Sequence, residues 1–250
     1  MSVVNQKSKT DLFLNRLEKE ILVLDGAMGS MIFGLGLTEA EVRSERFKEW
    51  PHDLKNCTDV FGLTHPEKIT ELHRQYLEAG ADIIETNTFQ ASLVGLSDFD
   101  FPEDIVREIN FAGVANARRA ADEYTAKTPD QPRFVAGSIG PTSKQTAIST
   151  KVEDPAFRNT SFEEMEESYF IQVKALVEAG VDILFPETVI DTLNLKACLF
   201  AIARYFEESG NVVPVMVSGT FAESGSTFVS GQLVEAFWNS ISHFPMVSVG

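Results

Sequence analysis

The chain has 250 residues, 44% of them hydrophobic and 23% charged, which fits one large α/β domain or two small ones. Its formal net charge of −16 argues against nucleic acid and anionic membrane surfaces as partners, since both call for a basic face. No apolar run approaches the roughly 18 residues of a membrane span, the N-terminus carries no signal-peptide core, and Cys57 and Cys198 do not make a disulfide framework, so the expected compartment is the reducing cytoplasm.

In chain order, Asp11–Glu20 reads as a short amphipathic helix on Leu12, Phe13, Leu14 and Leu17. A strand at Ile21–Leu24 ends in Asp25-Gly26-Ala27-Met28-Gly29, where glycines allow a tight turn. Leu37–Phe61 has no clean period and reads as a long loop with helical turns, a length that suggests cover for a site. Thr64-His65-Pro66-Glu67 reads as a capping box that starts a helix leading to a strand at Ala81–Ile84. A helix follows from Glu103 to about Tyr124, then a strand from Arg133 ending in Gly137-Ser138-Ile139-Gly140. Ser161-Phe162-Glu163-Glu164 caps the next helix, whose stripe is Phe162, Met165, Tyr169, Val173, Leu176 and Val177. Gly180 stops that helix, and Val181–Phe185 is a fully apolar strand. A helix begins near Asp191, a strand at Val212, a helix near Ser230 and a last strand at Met246.

The stretch Leu176–Asn194 repeats the syntax of Leu77–Phe89: Glu-Ala-Gly, a short apolar strand, then polar residues. This βα alternation predicts a parallel sheet with right-handed crossovers. No Gly-x-Gly-x-x-Gly follows the first strand, which weakens an open dinucleotide-binding sheet and favours a (β/α)₈ TIM barrel with about six of its eight βα units present. The division expected is 1–20 as a helical extension and 21–250 as the barrel domain.

Sites in such folds gather at the C-terminal ends of strands. Those ends carry Asp25-Gly26, Glu85-Thr86-Asn87, Ser138 with Gly140, Glu187-Thr188 and Ser218-Gly219-Thr220, with no basic residue among them. Carboxylates that hold an ammonium and glycine N–H groups that hold a carboxylate suit a small zwitterion. Taken singly, Asp25 or Glu85 serves equally well as a helix N-cap, and Ser138 or Thr142 as a turn residue. His65 and His73 read as structural or solvent-facing, and no Cys or His pair has zinc-ligand spacing. An aldolase-type barrel is disfavoured because no strand ends in a Schiff-base Lys.

Several motifs are more specific. LDGAMGSMI at Leu24–Ile32, ERFKEWPHDLKN at Glu45–Asn56, EAGADIIETNTF at Glu78–Phe89, RFVAGSIGPT at Arg133–Thr142 and SGQLVEAFWNS at Ser230–Ser240 resemble the homocysteine-binding module of cobalamin-dependent methionine synthases, within the homocysteine S-methyltransferase family. The resemblance runs in order from Ile21 to Gly250. It implies a TIM barrel that binds homocysteine and activates its thiol on zinc, because the thiolate is the nucleophile and a free thiol has a pKa of about 8.5. It also implies cobalamin and methyltetrahydrofolate as cofactors, bound by cobalamin-binding and folate-binding modules of the same parent.

By that resemblance the substrate-binding residues are Asp25, Gly26, Asn87, Ser138, Gly140, Glu187 and Thr188, with Glu187 on the homocysteine ammonium and the Ser138–Gly140 turn on its carboxylate. The family's zinc ligands are three cysteines, one following the sixth strand in a Gly-x-Asn-Cys context and an adjacent pair on a later strand. Cys57 and Cys198 match none of them, so zinc ligands are expected beyond residue 250 and the chain by itself is expected to be inactive. Pro186 also departs, standing where an aliphatic residue precedes the Glu. The alternatives are a non-catalytic amino-acid-binding fragment, or a homocysteine S-methyltransferase that uses another methyl donor.

Overall fold

A computed structural model describes residues 3–250, and their side chains from Lys9 onward. The first helix, α1, spans Val3–Leu17 rather than beginning at Asp11. It is followed by α2 (Met28–Gly34), α3 (Glu39–Arg43), α4 (Phe61–Thr64) and α5 (Pro66–Glu78). Then strands and helices alternate: β1 (Ile83–Glu85), α6 (Glu103–Lys127), β2 (Phe134–Ile139), α7 (Phe162–Ala179), β3 (Ile183–Pro186), α8 (Thr192–Ser209), β4 (Met216–Val217), α9 (Val234–Ile241) and β5 (Ser248–Val249).

All strand pairs are parallel, and each strand lies beside its neighbour in sequence. Leu24 bridges Ile83, and Leu184 bridges Val215, which joins the strands into one series. The order never reverses, as it does at the switch point of a doubly wound sheet. The expected strand at Ile21–Leu24 shrinks to that single bridge. Ile21 is 92% exposed, because this edge has the sheet on one side only.

Local signals explain most boundaries. Ser161 and Glu164 form the reciprocal capping box at the start of α7, and Gly180 ends it at φ 99°. Asp191 caps α8 by accepting from the Leu193 N–H. The expected capping box at Thr64 is absent. Thr64 Oγ1 instead reaches back to the Val60 carbonyl, and α5 starts on Pro66 without a side-chain cap. His73, on α5, is fully buried with neither ring nitrogen partnered, and burial pushes it down to about 3, so it is a neutral packing residue.

The two faces of the strands separate by the two-residue period. Ile84, Val135 and Leu184 pack outward with α6, α7 and α8. Ile83, Phe134, Ala136, Ile183 and Phe185 form a second cluster on the opposite face. Phe13 of α1 is fully buried in that cluster, edge-on to Phe134 at 5.2 Å.

At the N-terminal ends of the strands a clamp occurs twice. Asp82 accepts from the Val23 N–H and pairs with Arg16 at 3.0 Å. Asp182 accepts from the Val135 N–H and pairs with Arg118 at 2.7 Å. Each Asp follows the Glu-Ala-Gly repeat, so the repeated sequence codes a repeated strand-anchoring contact.

Candidate functional site

The face that buries Ile83, Phe134, Ala136, Ile183 and Phe185 continues, in the same phase, to Glu85, Ser138 and Glu187. Three strands therefore deliver one polar group each to the same end. A cavity of about 550 Å³ opens there, lined by Gly26, Ala27, Met28, Gly29, Phe33, Asn56, Thr58, Glu85, Thr86, Asn87, Phe89, Gln90, Ser138 and Glu187. No Lys, Arg or His is among these.

Of the residues expected in the site, Gly26, Asn87, Ser138 and Glu187 line the cavity. Asp25 lies against its wall, and both its oxygens accept the Glu85 N–H, at 3.1 and 3.0 Å. Ser138 donates its hydroxyl to Glu187. Glu85, from β1, and Glu187, at the end of β3, line the same cavity. Asn87 donates its amide to the Thr58 carbonyl at 2.8 Å, docking the long loop onto the end of β1.

Gly140 and Thr188 do not line this cavity, though Thr188 Oγ1 donates to Glu187 at 3.4 Å. The Gly140 N–H donates to the Phe89 carbonyl at 2.7 Å, and the Ser138 N–H donates to Thr86 Oγ1 at 3.1 Å. Those two groups, expected to hold a ligand carboxylate, already have partners inside the protein. Gly140 is needed for close approach, since a Cβ there would stand 2.6 Å from the Phe89 oxygen. Thr188 has φ 55° and donates its N–H to Ser218 Oγ, outside the cavity lining. Pro186 has no N–H to give to the β4 side of the ladder. Its carbonyl accepts from Ser218, and Glu187 keeps its bond to the Ile139 carbonyl at 3.0 Å.

The electrostatics are one-sided. Burial raises Glu85 to about 9, helped by the charges of Glu187 and Asp25. Burial likewise raises Asp25 to about 7, against the Glu85 N–H bond and with Glu187 repelling. Burial also raises Glu187, opposed by its bonds to Ser138, Glu85 and Thr188. Three half-buried carboxyls thus converge with no Lys, Arg or His among the lining residues.

Glu85 is one of the polar strand ends yet lies outside the substrate-binding set that the resemblance implies, and its signal is the in/out phase it shares with Ile83. Met28 and Phe33 enter through α2, where only a glycine turn was expected. Asn56 and Thr58 arrive through a tertiary fold-back. Glu39 accepts from the N–H groups of Leu54 and Lys55 and pairs with Arg43, which fixes the loop's return. No local pattern announces such a contact.

Among the described residues no cluster of three His, Cys, Asp or Glu side chains is able to hold an ion. Cys57 and Cys198 are both buried, in separate clusters, and burial drives both thiols well above their usual value. The residues present therefore do not fit a thiolate-bound zinc.

Comparison with known proteins fits this architecture. The sequence model of the family described as homocysteine S-methyltransferase matches residues 22–250. The metallated form of the homocysteine methyltransferase MmuM from Escherichia coli superposes with a TM-score of 0.72 at 24% identity, over 94% of this chain and 75% of that one. Its oxidized form gives 0.70 at the same identity, over 94% and 74%.

Proposed function

Because the chain belongs to the homocysteine S-methyltransferase family, we propose that it binds the α-amino-acid end of homocysteine in the 550 Å³ cavity for S-methyl transfer. The observation that carries this reading is the convergence of Asp25, Glu85 and Glu187 with no cation among the lining residues. Half-buried carboxylates gathered without a cation favour a charge partner, and an α-ammonium supplies one together with hydrogen bonds. In this reading Glu187 and Glu85 receive the ammonium, Ser138 orients Glu187, and Asp25 supports Glu85 from behind. Asn87 and Gly26 shape the wall.

The motifs around Trp50-Pro51 and Asn159–Glu164 favour the cobalamin-dependent methionine synthase branch, with methylcobalamin as donor and folate-binding and cobalamin-binding modules as partners. The domain arrangement that goes with it is about six of the eight βα units of a (β/α)₈ barrel over 21–250, with 1–20 as a helical extension, in the cytoplasm. Zinc would supply thiol activation in that branch, but the residues present do not fit it. That misfit favours a second reading: these 250 residues bind the amino acid without turning it over.

Calorimetric titration with L-homocysteine tests the main reading. Glu187→Gln is expected to weaken binding roughly tenfold to a hundredfold, since a charge-assisted hydrogen bond is worth about 1.5–3 kcal/mol. Equal affinities for the two proteins would remove Glu187 from the site. Metal analysis separates the two readings: stoichiometric zinc with methyl transfer would overturn the binding-only version.

A further inference from the structure

Ser138 supplies the hydroxyl that holds Glu187, so whatever fixes Ser138 also fixes the acidic wall of the cavity. The β1–β2 pairing ends at Glu85 with Ala136, closed by the Thr86 N–H on the Ala136 carbonyl at 2.9 Å. Beyond that point two side chains replace the main chain. The Ser138 N–H donates to Thr86 Oγ1 at 3.1 Å, and the Ser138 carbonyl accepts from Thr88 Oγ1 at 2.8 Å. The two hydroxyls meet at 2.6 Å. A hydroxyl carries one proton, and Thr88 gives its own to the carbonyl, so Thr86 is the donor between them. The ring closes in one direction, from the Ser138 N–H through both hydroxyls to the Ser138 carbonyl. Thr88 is itself held from two helices. A Cβ on Gly113 of α6 would stand 2.5 Å from Thr88 Cγ2, so the methyl rests on that glycine. Gln172 of α7 donates to the Thr88 carbonyl at 2.8 Å. Thr88 is fully buried and has no place in the cavity lining.

We propose that Thr88 is a positioning residue for the amino-acid site: through the hydroxyl ring it pins the Ser138 main chain and so aims the Ser138 hydroxyl at Glu187. The inference rests on the amino-acid-binding reading above and extends it to a residue that touches no ligand. Without the Thr88 hydroxyl, the buried Ser138 carbonyl loses its 2.8 Å donor and Thr86 loses its acceptor. A buried carbonyl left in that state draws the chain toward another donor. Ser138 Oγ then moves with its main chain. Glu187 has Thr188 Oγ1 as its other hydroxyl partner, at 3.4 Å and at the limit of hydrogen bonding, so Ser138 sets its orientation.

The test is calorimetric titration of the 250-residue chain with L-homocysteine in two variants that divide Thr88 into its parts. Thr88→Val keeps the methyl on Gly113 and removes the hydroxyl; Thr88→Ser keeps the hydroxyl and removes the methyl. Thr88→Val is expected to weaken binding about threefold to tenfold, the equivalent of one neutral hydrogen bond. Thr88→Ser is expected to bind within about twofold of wild type even where its Tm falls, a rescue that a packing role would not give. In a Glu187→Gln background, Thr88→Val is expected to add less than about twofold, because the effect passes through Glu187. Wild-type affinity in Thr88→Val, a loss in Thr88→Ser as large as in Thr88→Val, or the same loss with and without Glu187 each overturns the proposal while leaving the site intact. If Thr88→Val lacks the native circular-dichroism spectrum, Thr86→Val breaks the same ring. Thr86 lines the cavity, so its cycle with Glu187→Gln decides: coupling supports the ring, and additivity marks a direct contact and overturns it. Absence of L-homocysteine binding by natively folded wild type overturns the site and the positioning role together.

Discussion

Gly140→Ala separates two roles for one residue, ligand contact and close packing. The added Cβ would stand 2.6 Å from the Phe89 carbonyl oxygen and 2.7 Å from two of its ring carbons. None of these is the far end of a flexible chain, so backbone must move. Overpacking of this kind costs about 1–3 kcal/mol. The shift also strains the 2.7 Å bond from the Gly140 N–H to Phe89, worth about 0.5–1.5 kcal/mol. Together that is about 1.5–4.5 kcal/mol, or a fall in Tm of about 3–18 °C at 2–4 °C per kcal/mol. Differential scanning fluorimetry reads it directly. Gly29→Ala is the control: it lies in α2 with nothing within 4 Å of the new Cβ, and relief of helix-interior glycine predicts a small rise in Tm. A Gly140→Ala protein melting within about 2 °C of wild type would refute the packing argument. Weakened amino-acid binding at unchanged Tm would return Gly140 to the ligand.

Three more outcomes follow from the same contacts. Arg118→Ala leaves the buried Asp182 carboxylate without its 2.7 Å guanidinium partner and should cost about 3–5 kcal/mol, measurable by urea denaturation; a loss below about 1 kcal/mol would show that Lys9 compensates. Glu85 binds its proton more tightly folded (about 9) than its ordinary value of 4.5, so its contribution is fully present below 4.5 and drains as pH rises toward 9. Glu85→Gln should therefore raise Tm relative to wild type at pH 8 far more than at pH 5, and parallel pH profiles would contradict this. Cys57 and Cys198 are buried and held as thiols, so a thiol reagent at pH 8 should label neither until denaturant is added. Rapid native labelling of either would place it in an open site.

Much of the architecture was legible because it is local. The Gly180 helix stop, the Ser161–Glu164 capping box and the apolar run Val181–Phe185 each rest on a few adjacent residues. The early chain was less legible. Ile21–Leu24 has the composition of a buried strand yet forms one bridge, because pairing depends on neighbours and not on composition. Thr64 has the spacing of a cap, but it is the last residue of α4, and its hydroxyl donates to the Val60 carbonyl one turn back. The long loop showed its length but not its course, which Glu39 fixes from fifteen residues away.

The amino-acid sequence by itself determined the alternation of strands and helices, the polar strand ends, and the family to which the chain belongs, since these are written in adjacent residues and ordered motifs. Only the tertiary structure decided that Glu85 and Glu187 line one cavity, that Asp25 accepts the Glu85 N–H, and that the Gly140 N–H is engaged by Phe89. Desolvation, charge repulsion and hydrogen bonding depend on distances between groups dozens of residues apart, and the chain acquires those distances only by folding.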